Sequence, residues 1–218
     1  MIRIINIILD LIYPPKCAFC RKIIGSDMKG LCSECYEKLP VLKGSEQITV
    51  LENGALCRSA LLYDEMVRDS FLRYKFYGLV SYAEAYSQIL FSCLADIGQD
   101  CDILTWIPLG KRRRRKRGYD QAELLAKGLA PLLGLDCKRI LYKNKDTKAQ
   151  SLTKDINERK TNIRGAWSVC KDAEIKGKKI LVIDDVVTTG STLSECTDLL
   201  KKAGAASVKA ATLAKAAK

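Results

Sequence analysis

The stretch from Ile180 to Leu193, ILVIDDVVTTGSTL, constrains the fold of this chain more than any other. An unbroken apolar run leads into two acids, then a hydroxyl-rich turn with one glycine, then a helical pattern. Strands that read as continuous apolar runs are buried on both faces, as in parallel sheets. In open α/β sheets, ligands bind at the carboxyl ends of such strands. Backbone amides of Thr188 to Thr192 can converge there on a phosphate, at a helix N-terminus whose dipole favours negative charge. Gly190 permits close approach, and the hydroxyls of Thr188, Thr189, Ser191 and Thr192 add donors. The adjacent Asp184 and Asp185 suit a vicinal diol, with Mg2+ nearby. The competing reading is a helix cap, since Thr192-x-x-Glu195 fits a capping box. A cap needs neither two acids nor four hydroxyls.

The rest of the chain alternates in the same way. Strands are expected at Ala60–Tyr63, Ile103–Pro108, Arg139–Tyr142, Lys178–Ile183 and Ser207–Leu213. Helices are expected at Glu65–Tyr77 and Tyr82–Ile97, then from Gly118 towards Leu133, with Pro131 as a candidate early stop, and around Leu193–Ala203. Such alternation predicts an α/β fold with a mainly parallel sheet covered by helices. With 218 residues, 48% hydrophobic, the chain can build one well-buried domain and a small appendage. The expected division is 1–52 and 53–218, with the turn-rich Gly44–Gly54 as a linker.

The appendage is marked by Cys17-x2-Cys20 and Cys32-x2-Cys35, followed by a short helix over Ser33–Leu39 that Pro40 stops. Two such knuckles complete a tetrahedral sulfur shell suited to zinc, while a disulfide pair or a thioredoxin-like redox motif is the competing reading. The other six cysteines show no ligand spacing and read as small core hydrophobes, and so many thiols point to a reducing cytosol. Met1 to Ile12 is apolar except for Arg3, Asn6 and Asp10, which form one polar stripe on a helix. That helix is too short to span a bilayer, and its acid and amide interrupt a secretory leader. It reads as packed on the protein, with interfacial membrane binding as the alternative.

The chain has 37 Lys+Arg, 25 Asp+Glu and no His, a formal net charge of +12. Lacking imidazole, it can hold no Ser-His-Asp or Cys-His nucleophile and no His-ligated metal. The charge is concentrated in two places. Lys111 to Arg117 reads KRRRRKR, and Lys143 to Gly165 holds seven basic and three acidic residues. These two stretches carry almost the whole field and imply an anionic partner. For the first run alone, a solvated loop or a nuclear-localisation signal competes. Tyr119, Tyr142 and Trp167 lie beside the two stretches and can stack bases or simply pack.

The strand-DDVVTTGST-helix segment resembles the phosphoribosyl-diphosphate (PRPP) motif of type I phosphoribosyltransferases. That resemblance implies that Asp184 and Asp185 hold the ribose hydroxyls and that Thr188, Thr189, Gly190, Ser191 and Thr192 hold the 5-phosphate, with Mg2+ accompanying PRPP. It further implies that Leu109, Gly110 and Lys111, after an earlier strand, bind pyrophosphate, and that a mobile loop over Lys143–Gly165 closes on the site. Arg159 is then the catalytic candidate beside Asp184 and Asp185, with Lys145 and Lys148 as alternatives. The purine-salvage relatives often carry an acidic general base where Thr188 stands here.

More of the chain is similar to the ComF (ComFC) family of competence-associated proteins. The matching pieces are the four cysteines, LRYKFYG (Leu72–Gly78), RGYDQAELLA (Arg117–Ala126), TKAQSLTKDINERKTNIRGAW (Thr147–Trp167), the DDVVTTGST loop and AGAASVKAATLAK near the end. The family implies a cytoplasmic protein that binds single-stranded DNA during uptake, alongside a DNA-translocating ATPase. Arg112, Arg113, Arg114, Arg115, Lys116 and Arg117 would then contact nucleic acid. The alternatives are a PRPP-dependent transferase in nucleotide synthesis or salvage and a non-catalytic PRPP sensor.

Overall fold

The computed structural model describes residues 14–98, 100–144 and 165–217. The expected helix over Met1–Ile12 lies outside them, as do Arg159, Lys145 and Lys148. In chain order the strands are β1 (Ile48–Val50), β2 (Leu56–Leu62), β3 (Ile103–Trp106), β4 (Asp136–Cys137), β5 (Leu141–Lys143), β6 (Trp167–Val169), β7 (Lys179–Val187) and β8 (Ser207–Lys215). The helices are α1 (Ser33–Lys38), α2 (Glu65–Phe76), α3 (Tyr82–Gly98), α4 (Lys111–Arg117), α5 (Gln121–Leu133) and α6 (Ser191–Lys202).

Six strands form one sheet in the order β1-β2-β8-β7-β3-β4, and β5 pairs with β6 apart from it. Only β1 runs antiparallel within the sheet. The central β7 shows why the apolar run is continuous. Alternate side chains of a strand point to opposite faces. Ile180 and Val182 therefore pack with Leu193, Cys196 and Leu200 of α6. Leu181 and Ile183 pack with Phe71 and Tyr74 of α2, Leu90 of α3 and Leu125 of α5. Both faces are covered, so this strand has no polar side until its acids.

Helix ends follow local chemistry. The Asp64 carboxylate accepts from the Val67 N–H at 2.8 Å to start α2. Asp120 accepts from Ala122 and Glu123 at 3.2 and 3.4 Å to start α5. Pro131 does not stop α5, which ends at Gly134 with φ 68°. Proline in a final turn removes one donor without ending the helix at once.

Three expectations change. Gly44–Gly54 is no linker: it holds a 3-10 turn (Gly44–Gln47) and β1, which joins the sheet as an edge strand beside β2. Lys111–Arg117 is no loop but the helix α4, entered at Gly110 and closed by Gly118 at φ 84°. Lysine and arginine are good helix formers, and the two glycines set its limits. Finally, β7 runs beyond Ile183 through both acids to Val187.

The cysteine module packs directly on the main domain. The Ser70 hydroxyl donates to the Ala18 carbonyl at 2.6 Å, and Arg73 donates to the Ala18 and Phe19 carbonyls at 3.1 and 2.7 Å. Phe19 meets Tyr86 edge-on, with ring centroids 6.1 Å apart. Among the described residues no helix is long and apolar enough to cross a membrane.

Candidate functional site

The alternation along β7 separates its two acids. Asp185 follows Leu181 and Ile183 onto the face covered by α2 and α5, where Lys75 Nζ lies 2.8 Å from its Oδ2. Gln121 Nε2 donates to the same oxygen at 2.9 Å. Asp184 takes the opposite face, and its Oδ1 accepts from the Asp185 N–H at 2.8 Å. The two carboxyls titrate apart. Burial and the neighbouring Asp185 charge push Asp184 well above the ordinary carboxylate value. Burial also opposes the Asp185 charge, but Lys75 and Gln121 outweigh it and hold that carboxyl below its usual value. A direct ion pair 2.8 Å long favours the charged form of Asp185 and sets that direction.

Both acids line a cleft of about 540 Å³. Thr192, Pro108 and Leu109 border it, and among the described residues the cations Lys75, Arg113, Lys116, Arg117 and Lys143 reach it. A smaller hollow, lined by Thr188, Thr189, Gly190 and Ser191, shares Asp184, Val186 and Thr192 with the cleft. The turn is held by Thr189 Oγ1, which lies 3.1 Å from the Ser191 hydroxyl. Gly190 is in the left-handed region at φ 78°, and a Cβ there would meet Leu51 Cδ2 at 2.7 Å. Only glycine fits under that leucine. The capping-box alternative is not realised: α6 is capped at Gly190, and Glu195 instead accepts from the Gly165 and Ala166 amides at 2.6 and 3.2 Å.

The expected pyrophosphate loop divides. Leu109 lines the cleft, and its N–H donates to Asp120 Oδ2 at 2.7 Å, which fixes the loop to the start of α5. Gly110 caps α4, and Lys111 faces a separate open hollow with Arg112 and Arg115. Helix α4 thus sorts the basic run by face. Arg113, Lys116 and Arg117 reach the cleft, Lys116 touches both hollows, and Arg114 pairs with Glu123 at 3.1 Å. The run is therefore not one uniform contact surface.

Of the second basic stretch, Lys143 is described and lies over the Trp167 ring at 4.2 Å. The expected stacking residues largely pack. Trp167 is buried and donates from Nε1 to the Pro108 carbonyl at 3.3 Å. Tyr119 donates to the Tyr74 carbonyl, while Tyr142 stays partly exposed. Lys75, Gln121 and Asp120 have no role that sequence reasoning assigns. All three sit in the stretches LRYKFYG and RGYDQAELLA, but only the tertiary fold sets Lys75 and Gln121 on Asp185 and Asp120 on the Leu109 amide.

In the cysteine module, the sulfurs of Cys17, Cys20, Cys32 and Cys35 all lie within 4.8 Å of one another. None of the ten cysteines is disulfide-bonded, and the convergence of all four sulfurs on one centre favours a metal over paired disulfides. At Cys17, burial raises the thiol but amide hydrogen bonds from Cys32, Cys20 and Phe19 lower it on balance, while burial and the neighbouring thiols raise Cys32 and Cys35. Four converging sulfurs fit a structural zinc ion. Of the six other cysteines, Cys57, Cys93 and Cys196 are buried in the core as expected, whereas Cys101, Cys137 and Cys170 are only half-buried.

Residues 116–218 match the phosphoribosyl transferase domain, and residues 8–46 match the double zinc ribbon domain. Competence protein F of Haemophilus influenzae is 26% identical over 223 residues, covering 92% of this chain and 97% of that protein. Competence protein ComFC of Streptococcus pneumoniae is 28% identical over 204 residues, covering 86% of this chain and 88% of that one. DNA utilization protein YhgH of Salmonella typhi is 34% identical over 110 residues, a match that spans 50% of this chain and 47% of that protein.

Proposed function

Because the chain belongs to the ComF/ComFC family, with a phosphoribosyl transferase domain and a double zinc ribbon, we propose that it handles single-stranded DNA in competence and binds PRPP in the cleft. The observation that carries this reading is the meeting of Asp184, Asp185 and Thr192 with the cations of α4 around one cleft. Asp184 and Asp185 would face the ribose hydroxyls, and the turn from Thr188 to Thr192 would take the 5-phosphate. Mg2+, a hard cation suited to carboxylate and phosphate oxygens, would travel with PRPP and meet the acids. Arg113, Lys116, Arg117 and Lys143 would meet the pyrophosphate end. The many free thiols support a reducing, cytoplasmic setting. A DNA-translocating ATPase is the expected partner.

The same cations support a transferase reading, since at the cleft they would stabilise a departing pyrophosphate. Thr188 is no general base at neutral pH, so turnover would rest on positioning and charge.

Calorimetry tests the proposal with PRPP and Mg2+ in one series and single-stranded oligonucleotides in another. PRPP binding that the Asp184→Asn, Asp185→Asn variant abolishes supports the cleft assignment, and absence of PRPP binding to the wild type removes it. Oligonucleotide binding that weakens steeply with salt supports the DNA role, and absence of binding at low salt removes that role. Pyrophosphate release over a panel of bases separates a transferase from a sensor, which would bind PRPP without turnover.

A further inference from the structure

Helix α2 ends with two exposed aromatic rings, one of them against the basic helix α4. Its inward side chains Phe71 and Tyr74 are fully buried, and Lys75 turns to Asp185. The next two residues do the opposite. Phe76 is 67% exposed and Tyr77 75% exposed, with Leu72 and Val80 exposed nearby in the chain. A protein that buries Phe71, Tyr74 and Tyr86 to 1% or less leaves these rings out for a reason other than core packing.

Phe76 is also not an isolated surface ring. It lines the cleft, and the Arg117 guanidinium lies 5.4 Å from its ring centroid. That cation–π contact ties the ring to α4. Across α4 lie Lys111, Arg112 and Arg115, which line a separate open hollow. Lys116 borders both the cleft and that hollow, so Phe76 and these cations flank the same helix. Rings and cations so arranged suit a ligand that offers flat apolar faces and a regularly charged backbone. A nucleic-acid single strand offers both.

We infer that Phe76 and Tyr77 are the base-stacking platform for single-stranded DNA, with Lys111, Arg112 and Arg115 taking its phosphates. This rests on the DNA-binding role proposed above. It replaces Trp167, which is buried, and Tyr119, whose hydroxyl is tied to the Tyr74 carbonyl, as the stacking residues. Stacking belongs to the π face of the ring and not to apolarity as such. An aliphatic replacement therefore separates a DNA platform from a lipid- or protein-docking patch.

The test is fluorescence anisotropy of a labelled single-stranded oligodeoxynucleotide over a salt series, with three proteins. The wild type should bind. The Phe76→Leu, Tyr77→Leu variant should bind about tenfold more weakly or worse, with the salt dependence unchanged because no cation is removed. The Phe76→Trp variant should keep its affinity and show quenching of the added indole, beyond that of Trp106 and Trp167, as the strand binds. If the leucine pair binds within twofold of wild type, or loses anionic-vesicle binding while keeping DNA binding, the platform is wrong and the DNA role stands. A salt slope that falls with the affinity also overturns it. Should the leucine pair fail to fold, the Phe76→Trp quench decides alone, and its absence with DNA bound counts against the platform. If the wild type does not bind the oligonucleotide at all, the DNA role falls and the platform with it.

Discussion

The chemistry of the cleft turns on one pair of neighbours whose environments pull them apart. Asp184 is a carboxyl held above its ordinary value by burial and by the Asp185 charge. A group whose folded value is raised in this way weakens the fold once it ionises, so its penalty is absent in acid and grows as pH rises past the ordinary carboxylate range. Asp184→Asn keeps the acceptor for the Asp185 N–H while removing the charge. It should raise Tm at pH 7 by about 2–4 °C, the shift about 1 kcal/mol gives in a chain of this size. The gain should fade as pH is lowered towards 4, and PRPP binding should be lost. A thermal-shift series over pH reads this, and a gain equally large in acid would mean that charge is not its source. Asp185 behaves in the opposite sense: its lowered value stabilises the fold above the ordinary carboxylate range and is lost in acid. Lys75→Met leaves that charge with the Gln121 hydrogen bond and the Arg117 field but no direct ion pair. Breaking a buried pair costs about 3–5 kcal/mol. Lys75 is 21% exposed, so the expected loss is smaller, about 2–4 kcal/mol by urea unfolding at pH 7. A loss below about 0.5 kcal/mol would place the pair among ordinary surface contacts.

Helix α4 is the element in which sequence and structure differ most. Its seven basic residues point in different directions, so its two faces can be tested separately. Arg113→Ala with Lys116→Ala should weaken PRPP binding by about tenfold or more, given about 1.5–3 kcal/mol for hydrogen bonds to charged groups. Arg112→Ala with Arg115→Ala should leave PRPP binding unchanged and reduce the salt slope of oligonucleotide binding by about 0.7 for each phosphate that is no longer neutralised. Equal effects from both pairs in both assays would show that the faces are not distinct. The sequence could not foresee this sorting, because a run of like charges has no apolar period to reveal a helix. Its boundaries, Gly110 and Gly118, look like loop residues until the helix lies between them. A related limit hid β1, which at three residues (Ile48–Val50) is too short to show a period and is recognised only by its pairing with β2. By contrast, β7 as far as Ile183, the turn at Gly190 and α6 are legible, because apolar continuity and a glycine turn are local signals; the continuation of β7 through the two acids is not. The positions of Lys75 and Gln121 against Asp185 are not either, since the three come together only when α2 and α5 cover the same face of the sheet.

At the scale of the whole molecule, the cysteine module and the phosphoribosyl transferase domain share one core. Cys17, Phe19, Cys32 and Cys35 belong to the same buried cluster as Phe71, Tyr74 and Tyr86. Helix α2 joins the two regions. Ser70 and Arg73 hold the Ala18 and Phe19 carbonyls, and the next turn presents Lys75 and Phe76 to the cleft. Metal loss would therefore not release an independent appendage but would undo one side of the main core. Zinc sites supply about 10–16 kcal/mol of apparent folding energy to small modules. Part of that should appear here as stability of the entire chain. Stripping the metal with a strong chelator is expected to shift a single calorimetric transition down by more than about 10 °C, the order that several kcal/mol gives in a chain this long. PRPP binding, read at a temperature where the stripped protein remains folded, should weaken because α2 carries Lys75. Two transitions, with the upper one unmoved by chelator, would instead make the module thermodynamically separate and its contacts with α2 of little consequence.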